Sequence, residues 1–147
     1  MLQIVGYEHV TFSSIYVGPT KNSDTGKVPL ILWPHGGPHS VITTSFMSDV
    51  YYFLMLGYSV LLINYRGSLG AGNDSVMCLP GNIGDSDVKD CYQALQECLN
   101  TFENVDPNRY VSELFLFQMN ACNTCYLWVV IKAYTHLLHV LIYFYLS

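Results

Sequence analysis

Blocks of apolar and polar residues follow one another along the first two thirds of the chain, each with a length that suits one element. "VTFSSIYVGP" at 10–19 mixes β-branched and aromatic residues and closes on Gly18-Pro19, predicting a strand and a turn. "TKNSDTGK" is polar throughout and predicts an exposed loop. From Val28 to Trp33 the residues suit a strand covered on both faces, and the run leads into adjacent glycines, Gly36 and Gly37. A helix is expected over Phe46 to Leu56, with Thr43, Thr44 or Ser45 as its cap and Gly57 as its left-handed stop. "SVLLINY" at 59–65 predicts a second buried strand, which also ends on glycines in "RGSLGAGND". A further helix is expected over 86–100, where Val88, Tyr92, Leu95 and Leu99 recur at steps of three and four residues. "VDPNR" then predicts a turn into the next strand. Strand, helix, strand, helix, strand implies right-handed parallel crossovers in an α/β sheet.

Composition divides this picture in two. The 147 residues suffice for one domain with its own core. Charged residues make up 12 % of the chain, against about 25 % in ordinary soluble domains. Residues 110–147 hold only Glu113 and Lys132, so residues 1–109 carry the whole net charge of −5. The expected organisation is a partial α/β domain over 1–109 and a divergent hydrophobic tail over 110–147. The acidic body has no basic stripe, which excludes nucleic acid as a partner. "MLQIVGYEHVTF" lacks the basic start of a signal peptide, and the five cysteines form an odd set with no secreted framework, so a cytoplasmic location with free thiols is expected. "GSLGAG" has neither the lysine and hydroxyl of a phosphate loop nor dinucleotide spacing, and no cofactor is expected.

Candidate chemistry gathers where ligands of α/β sheets gather, beyond the carboxyl ends of the strands. Gly36 and Gly37 fit two readings there. They can offer backbone N–H groups to a developing negative charge, or simply form a tight turn that needs positive φ. Ser68 in "GSLG" stands one residue off the pattern of a nucleophile elbow and reads as turn chemistry. Asp85 and Asp87 read as charges at a helix start rather than as catalytic carboxylates.

"VPLILWPHGGPHS", "GYSVLLINYRGSLGAGNDS" and "LPGNIGDSDVKD", in this order, resemble the start of the catalytic α/β-hydrolase domain of acylaminoacyl peptidases, within the prolyl oligopeptidase family of serine peptidases. The resemblance runs from Phe12 to Arg109. It implies the N-terminal part of an α/β-hydrolase fold with a mostly parallel sheet. It also implies a serine hydrolase that releases N-acylated amino acids from small blocked peptides. The family's "HGGP" carries onto His35, Gly36, Gly37 and Pro38, which makes Gly36 and Gly37 the oxyanion-hole donors and puts His35 at the substrate cleft. "NYRGS" puts Arg66 at the same cleft, either as partner of a substrate carbonyl or carboxylate or as a residue that fixes the loop. Where the family carries its nucleophile elbow, this chain reads "YVSELFLFQMN", and Ser112 has no flanking glycines. No catalytic residue is therefore assigned, and the expectation is a truncated domain, inactive alone. The alternative is a binding role, in which an unpaired sheet edge associates with a full-length subunit.

The tail raises two further readings. Cys122, Cys125, His136 and His139 look superficially like a zinc set, but their spacing departs from that of zinc fingers, and no metal is expected. Tyr126 to Leu146 is 21 residues long, enough to span a bilayer core of about 30 Å, although Lys132 lies inside it. A tail-anchored membrane protein with no enzymatic role is accordingly a further alternative, with membrane contact through 126–146 in place of the cytoplasmic location.

Overall fold

The computed structural model describes residues 2–6, 12–19, 26–37 and 39–112. Pro38, the zinc-like set and the 126–146 stretch lie outside the described residues. Among the described residues five strands and three helices follow in the order β1 (Leu2–Gly6), β2 (Ser13–Val17), β3 (Val28–Pro34), α1 (Ser48–Met55), β4 (Ser59–Asn64), α2 (Asn73–Met77), α3 (Ser86–Thr101) and β5 (Val105–Ser112). They form one sheet in the order β1-β2-β4-β3-β5. The expectation of a mostly parallel sheet holds for β4-β3-β5, whereas β1-β2 and β2-β4 are antiparallel, so the sheet is mixed.

The apolar runs become central strands because they are covered on both faces. Along β4, Leu61 and Ile63 pack on the α3 side with Tyr16, Leu30, Leu95 and Phe102. Val60 and Leu62 point the other way, toward Val50 of α1, with Ile31 and Trp33. Parallel pairing of Trp33 with Leu62 and Pro34 with Ile63 ends β3 and β4 side by side. The two glycine turns are therefore neighbours by register.

Three local expectations are corrected. Met47 stands at the N-cap of α1 without a side-chain cap, because the Thr43 and Ser45 hydroxyls bond each other at 2.9 Å before the helix starts. Gly57 does take the left-handed φ, +87°. The inward stripe of α3 is Asp90, Ala94, Leu95 and Cys98, while Val88 and Tyr92 face solvent. "VDPNR" lies within β5, where the register jumps from Val28↔Val105 to Leu30↔Tyr110 and Asp106 grips Arg109 at 2.6 Å. β1 and the short α2 had no periodic signal long enough to announce them.

Among the described residues no helix is long and apolar enough to cross a membrane. On the α1 face a groove of about 820 Å³ runs between Ile15, Val17 and Leu62 of the sheet and Met47, Val50 and Leu54 of the helix segment; none of His35, Gly36, Gly37 and Arg66 lines it.

Candidate active site

The segments that follow β3 and β4 are joined by both side-chain and backbone hydrogen bonds. The Asn64 amide accepts the Ile42 N–H at 2.7 Å and donates to the Ile42 carbonyl at 2.9 Å. The Leu69 N–H donates to the Ser40 carbonyl at 2.8 Å, and His39 Nδ1 lies 3.2 Å from the Gly67 carbonyl. Gly67 has φ +103°, and a Cβ there would run into the Leu79 side chain, so glycine is required on both counts. Gly37 has φ +69°, in the region where an L side chain is strained.

His35 is buried and stacks on the Tyr65 ring with centroids 4.5 Å apart. Its Nε2 is 2.6 Å from Ser68 Oγ. Ser68 is only 2 % exposed, and its hydroxyl donates to the Tyr65 carbonyl at 2.5 Å. A hydroxyl has one proton to give, so the proton between Ser68 and His35 belongs to Nε2. Burial pushes the His35 pKa below its ordinary value, and the Gly36 and Gly37 backbones only partly offset that. The pair thus resembles a nucleophile and its base in distance alone. The imidazole donates where a base must accept, Nδ1 stands 3.4 Å from the Gly36 carbonyl, and the hydroxyl is sealed from solvent. Ser68 is a pin between the two turns, in keeping with turn chemistry.

The Tyr65 hydroxyl closes the circuit from the other side, donating to the His35 carbonyl at 3.0 Å, with the Gly37 carbonyl at 3.4 Å. Desolvation raises the Tyr65 pKa, which keeps the phenol protonated as a donor.

Arg66 is turned onto α3. Its backbone N–H reaches Asp90 Oδ2 at 2.9 Å, Nε reaches both carboxylate oxygens, and Nη2 reaches Oδ1 at 2.7 Å. Asp90 is 1 % exposed while the Arg66 side chain is 34 % exposed. Hydrogen bonding to Asp90 raises the Arg66 pKa. Of the two sequence readings of Arg66, this geometry is that of a loop-fixing residue. Asp85 lies in the exposed Lys89 pair at 2.7 Å, and Asp87 accepts the Gly84 N–H at 2.8 Å; both sit at the start of α3.

Sequence reasoning missed Tyr65 and Asp90. Tyr65 looked like the end of an apolar strand, and Asp90 like one more helix acid. The available signal was that Asp90 falls on the stripe that also holds Ala94, Leu95 and Cys98. A carboxylate on that stripe requires a cation facing it.

Residues 44–113 match the model of the prolyl oligopeptidase family. The chain is 43 % identical over 105 residues to the acylamino-acid-releasing enzyme of Mus musculus, covering 71 % of this chain and 14 % of that protein. It is 47 % identical over 97 residues to the Arabidopsis thaliana enzyme of the same name, covering 65 % of this chain and 13 % of that one. The chain thus spans only a small part of these relatives. Among solved structures, a Mycobacterium tuberculosis puromycin-hydrolyzing peptidase superposes with a TM-score of 0.63 at 26 % identity, over 70 % of this chain and 16 % of that one. The Pyrococcus horikoshii acylaminoacyl peptidase shares the fold with a TM-score of 0.69 at 22 % identity, over 78 % of this chain and 19 % of that one. Through its glycine-turn sheet and these matches, the chain belongs to the prolyl oligopeptidase family of serine peptidases, on an α/β-hydrolase fold.

Proposed function

We propose that residues 12–112 form the oxyanion half of a serine hydrolase site of the acylamino-acid-releasing kind, and that this chain alone does not turn over substrate. The carrying observation is the Gly36-Gly37 turn at the carboxyl end of β3, fastened to the β4 turn by His35, Ser68 and Tyr65. When a serine adds to an acyl carbon, the carbonyl oxygen becomes an anion. The Gly36 and Gly37 N–H groups meet that charge, a contribution of about 10²–10³ in kcat per donor. The reading extends to small N-acylated peptides as substrates and to a cytoplasmic location.

The inactive reading is supported by the serines of the described residues. Among the described residues Ser68 is the one whose Oγ meets an imidazole, and it is buried with its proton committed. Loss of a nucleophile costs on the order of 10⁶ in turnover. The test is exposure of the purified chain to a fluorophosphonate probe. No adduct is expected, and an adduct on Ser68 or Ser112 would overturn the inactive reading.

A second reading has its own observation. β5 pairs only with β3 and β1 only with β2 among the described residues, so each presents an outer edge. An intact peptidase subunit is the proposed partner for such an edge. Co-purification of the two supports it, and a monodisperse monomer in a mixture of both rejects it.

A further inference from the structure

We propose that the apolar groove on the α1 face is the docking site of this chain's own residues 126–146. The first observation is α1 itself. Six of the eight residues in SDVYYFLM are apolar or aromatic, yet Val50 alone is buried. Tyr51, Tyr52 and Met55 are more than half exposed, and Phe46, just before the helix, is 80 % exposed. A helix that is apolar on every side belongs under a cover rather than at water. Beside it the groove opens about 820 Å³ of space over Ile15, Val17 and Leu62. A continuous apolar surface of this kind marks a docking face.

Charge selects the occupant. Over 40–58 the one charged residue is Asp49, and it is exposed. Over 126–146 the one charged residue is Lys132. The segment therefore offers apolar side chains to the groove and a single cation to its single anion. A second copy of the chain fits less well, because a two-fold contact through this face sets Asp49 against Asp49 on a body that carries the net charge of −5. An anionic membrane surface meets the same repulsion. Topology brings the segment within reach. β5 ends at Ser112 beside Leu32 of β3, and β4 and β2, the floor of the groove, are the next two strands of the sheet. At about 4.8 Å between strands, that floor lies about 10–15 Å across from β5. Residues 113–125 stretch to about 43 Å when extended, which suffices from either face of the sheet.

The test is photo-crosslinking on the full chain. A p-benzoylphenylalanine replaces Met55, and in a control chain it replaces Tyr92, which is 64 % exposed on α3 at the other face of the sheet. Isotope-labelled and unlabelled chains are mixed before irradiation, and the joined peptides are identified by mass spectrometry. The expected result is an adduct between position 55 and 126–146 within one chain, without its counterpart from position 92. No adduct in 126–146, equal adducts from both positions, or adducts that join labelled to unlabelled chains would overturn the proposal. The adduct is expected to persist when phosphatidylcholine–phosphatidylserine vesicles are added, and its replacement by a lipid adduct assigns the face to a membrane instead. Should the chain with the probe at 55 fail to fold, the exposed Phe46 takes the probe. Charge exchange gives the second readout. Asp49→Lys should lower the yield about two- to five-fold, the worth of one exposed ion pair, and adding Lys132→Asp should restore it. An undiminished yield in the single variant, or no recovery in the double, removes the pairing that selects this occupant and overturns the proposal.

Discussion

His35 is a buried imidazole with no carboxylate paired to it among the described residues, and its lowered pKa gives the fold a pH dependence of definite sign. The unfolded imidazole takes up a proton near its ordinary value of 6.5, whereas the folded one resists it. Its contribution to stability is complete above pH 6.5 and declines as the pH falls toward the lowered folded value. Urea unfolding midpoints should therefore drop on acidification below that point, and His35→Gln should flatten the slope while still donating to Ser68. An unchanged slope in that variant would place the acid sensitivity elsewhere. Asp90 is the second residue with a clear expectation. Asp90→Ala strands the Arg66 N–H and guanidinium, at about 2–3 kcal/mol; a fully buried pair would cost up to ~5, and the half-open Arg66 lowers that. Denaturant titration checks it, and a loss under about 0.5 kcal/mol would mean that water replaces the carboxylate. The glycines could be picked from the sequence because the pair follows an apolar strand run, and His35 came with the family resemblance. The partners that hold them, Tyr65 and Ser68, come into place only through the register of β3 and β4.

At the scale of elements, α3 shows both the reach and the limit of periodicity. Its span was legible to within a residue, since the sequence predicts 86–100 and the helix runs Ser86–Thr101. Its inward face was rotated, because Tyr92 counts as apolar and Asp90 as polar in any pattern, although pairing with Arg66 lets Asp90 be buried. Two variants separate the two faces. Leu95→Ala should cost about 2–5 kcal/mol because Leu95 packs in the core on either reading, whereas Tyr92→Ala should stay within about 0.5 because that ring is 64 % exposed. A large loss in Tyr92→Ala would restore the face drawn from periodicity. β3 and β4 were legible as buried strands, because long β-branched and leucine runs have few alternatives. β2 was legible within the run at 10–19, whereas β1 was not, because a five-residue edge strand carries too short a pattern.

Across the whole molecule, one sheet with helices on both faces should unfold as a unit. Cys98 lies between α3 and the sheet, and desolvation pushes its thiol up to about 12. Thiol labelling of Cys98 at neutral pH should therefore proceed at the rate of global unfolding and fall with added stabiliser. Fast labelling in the native state would mean that α3 opens separately.

The central claim is that the Gly36-Gly37 turn is the oxyanion half of an acylaminoacyl peptidase site. Its most direct test is a graft in which the aligned 105 residues of this chain replace their counterpart in the Mus musculus relative. Release of an acylamino acid is then measured. The chimera should hydrolyse an N-acetylated peptide and should lose about 10²–10³ in kcat when Gly36→Val blocks the turn, with the protein still folded. An active chimera whose kcat is indifferent to Gly36→Val would contradict it.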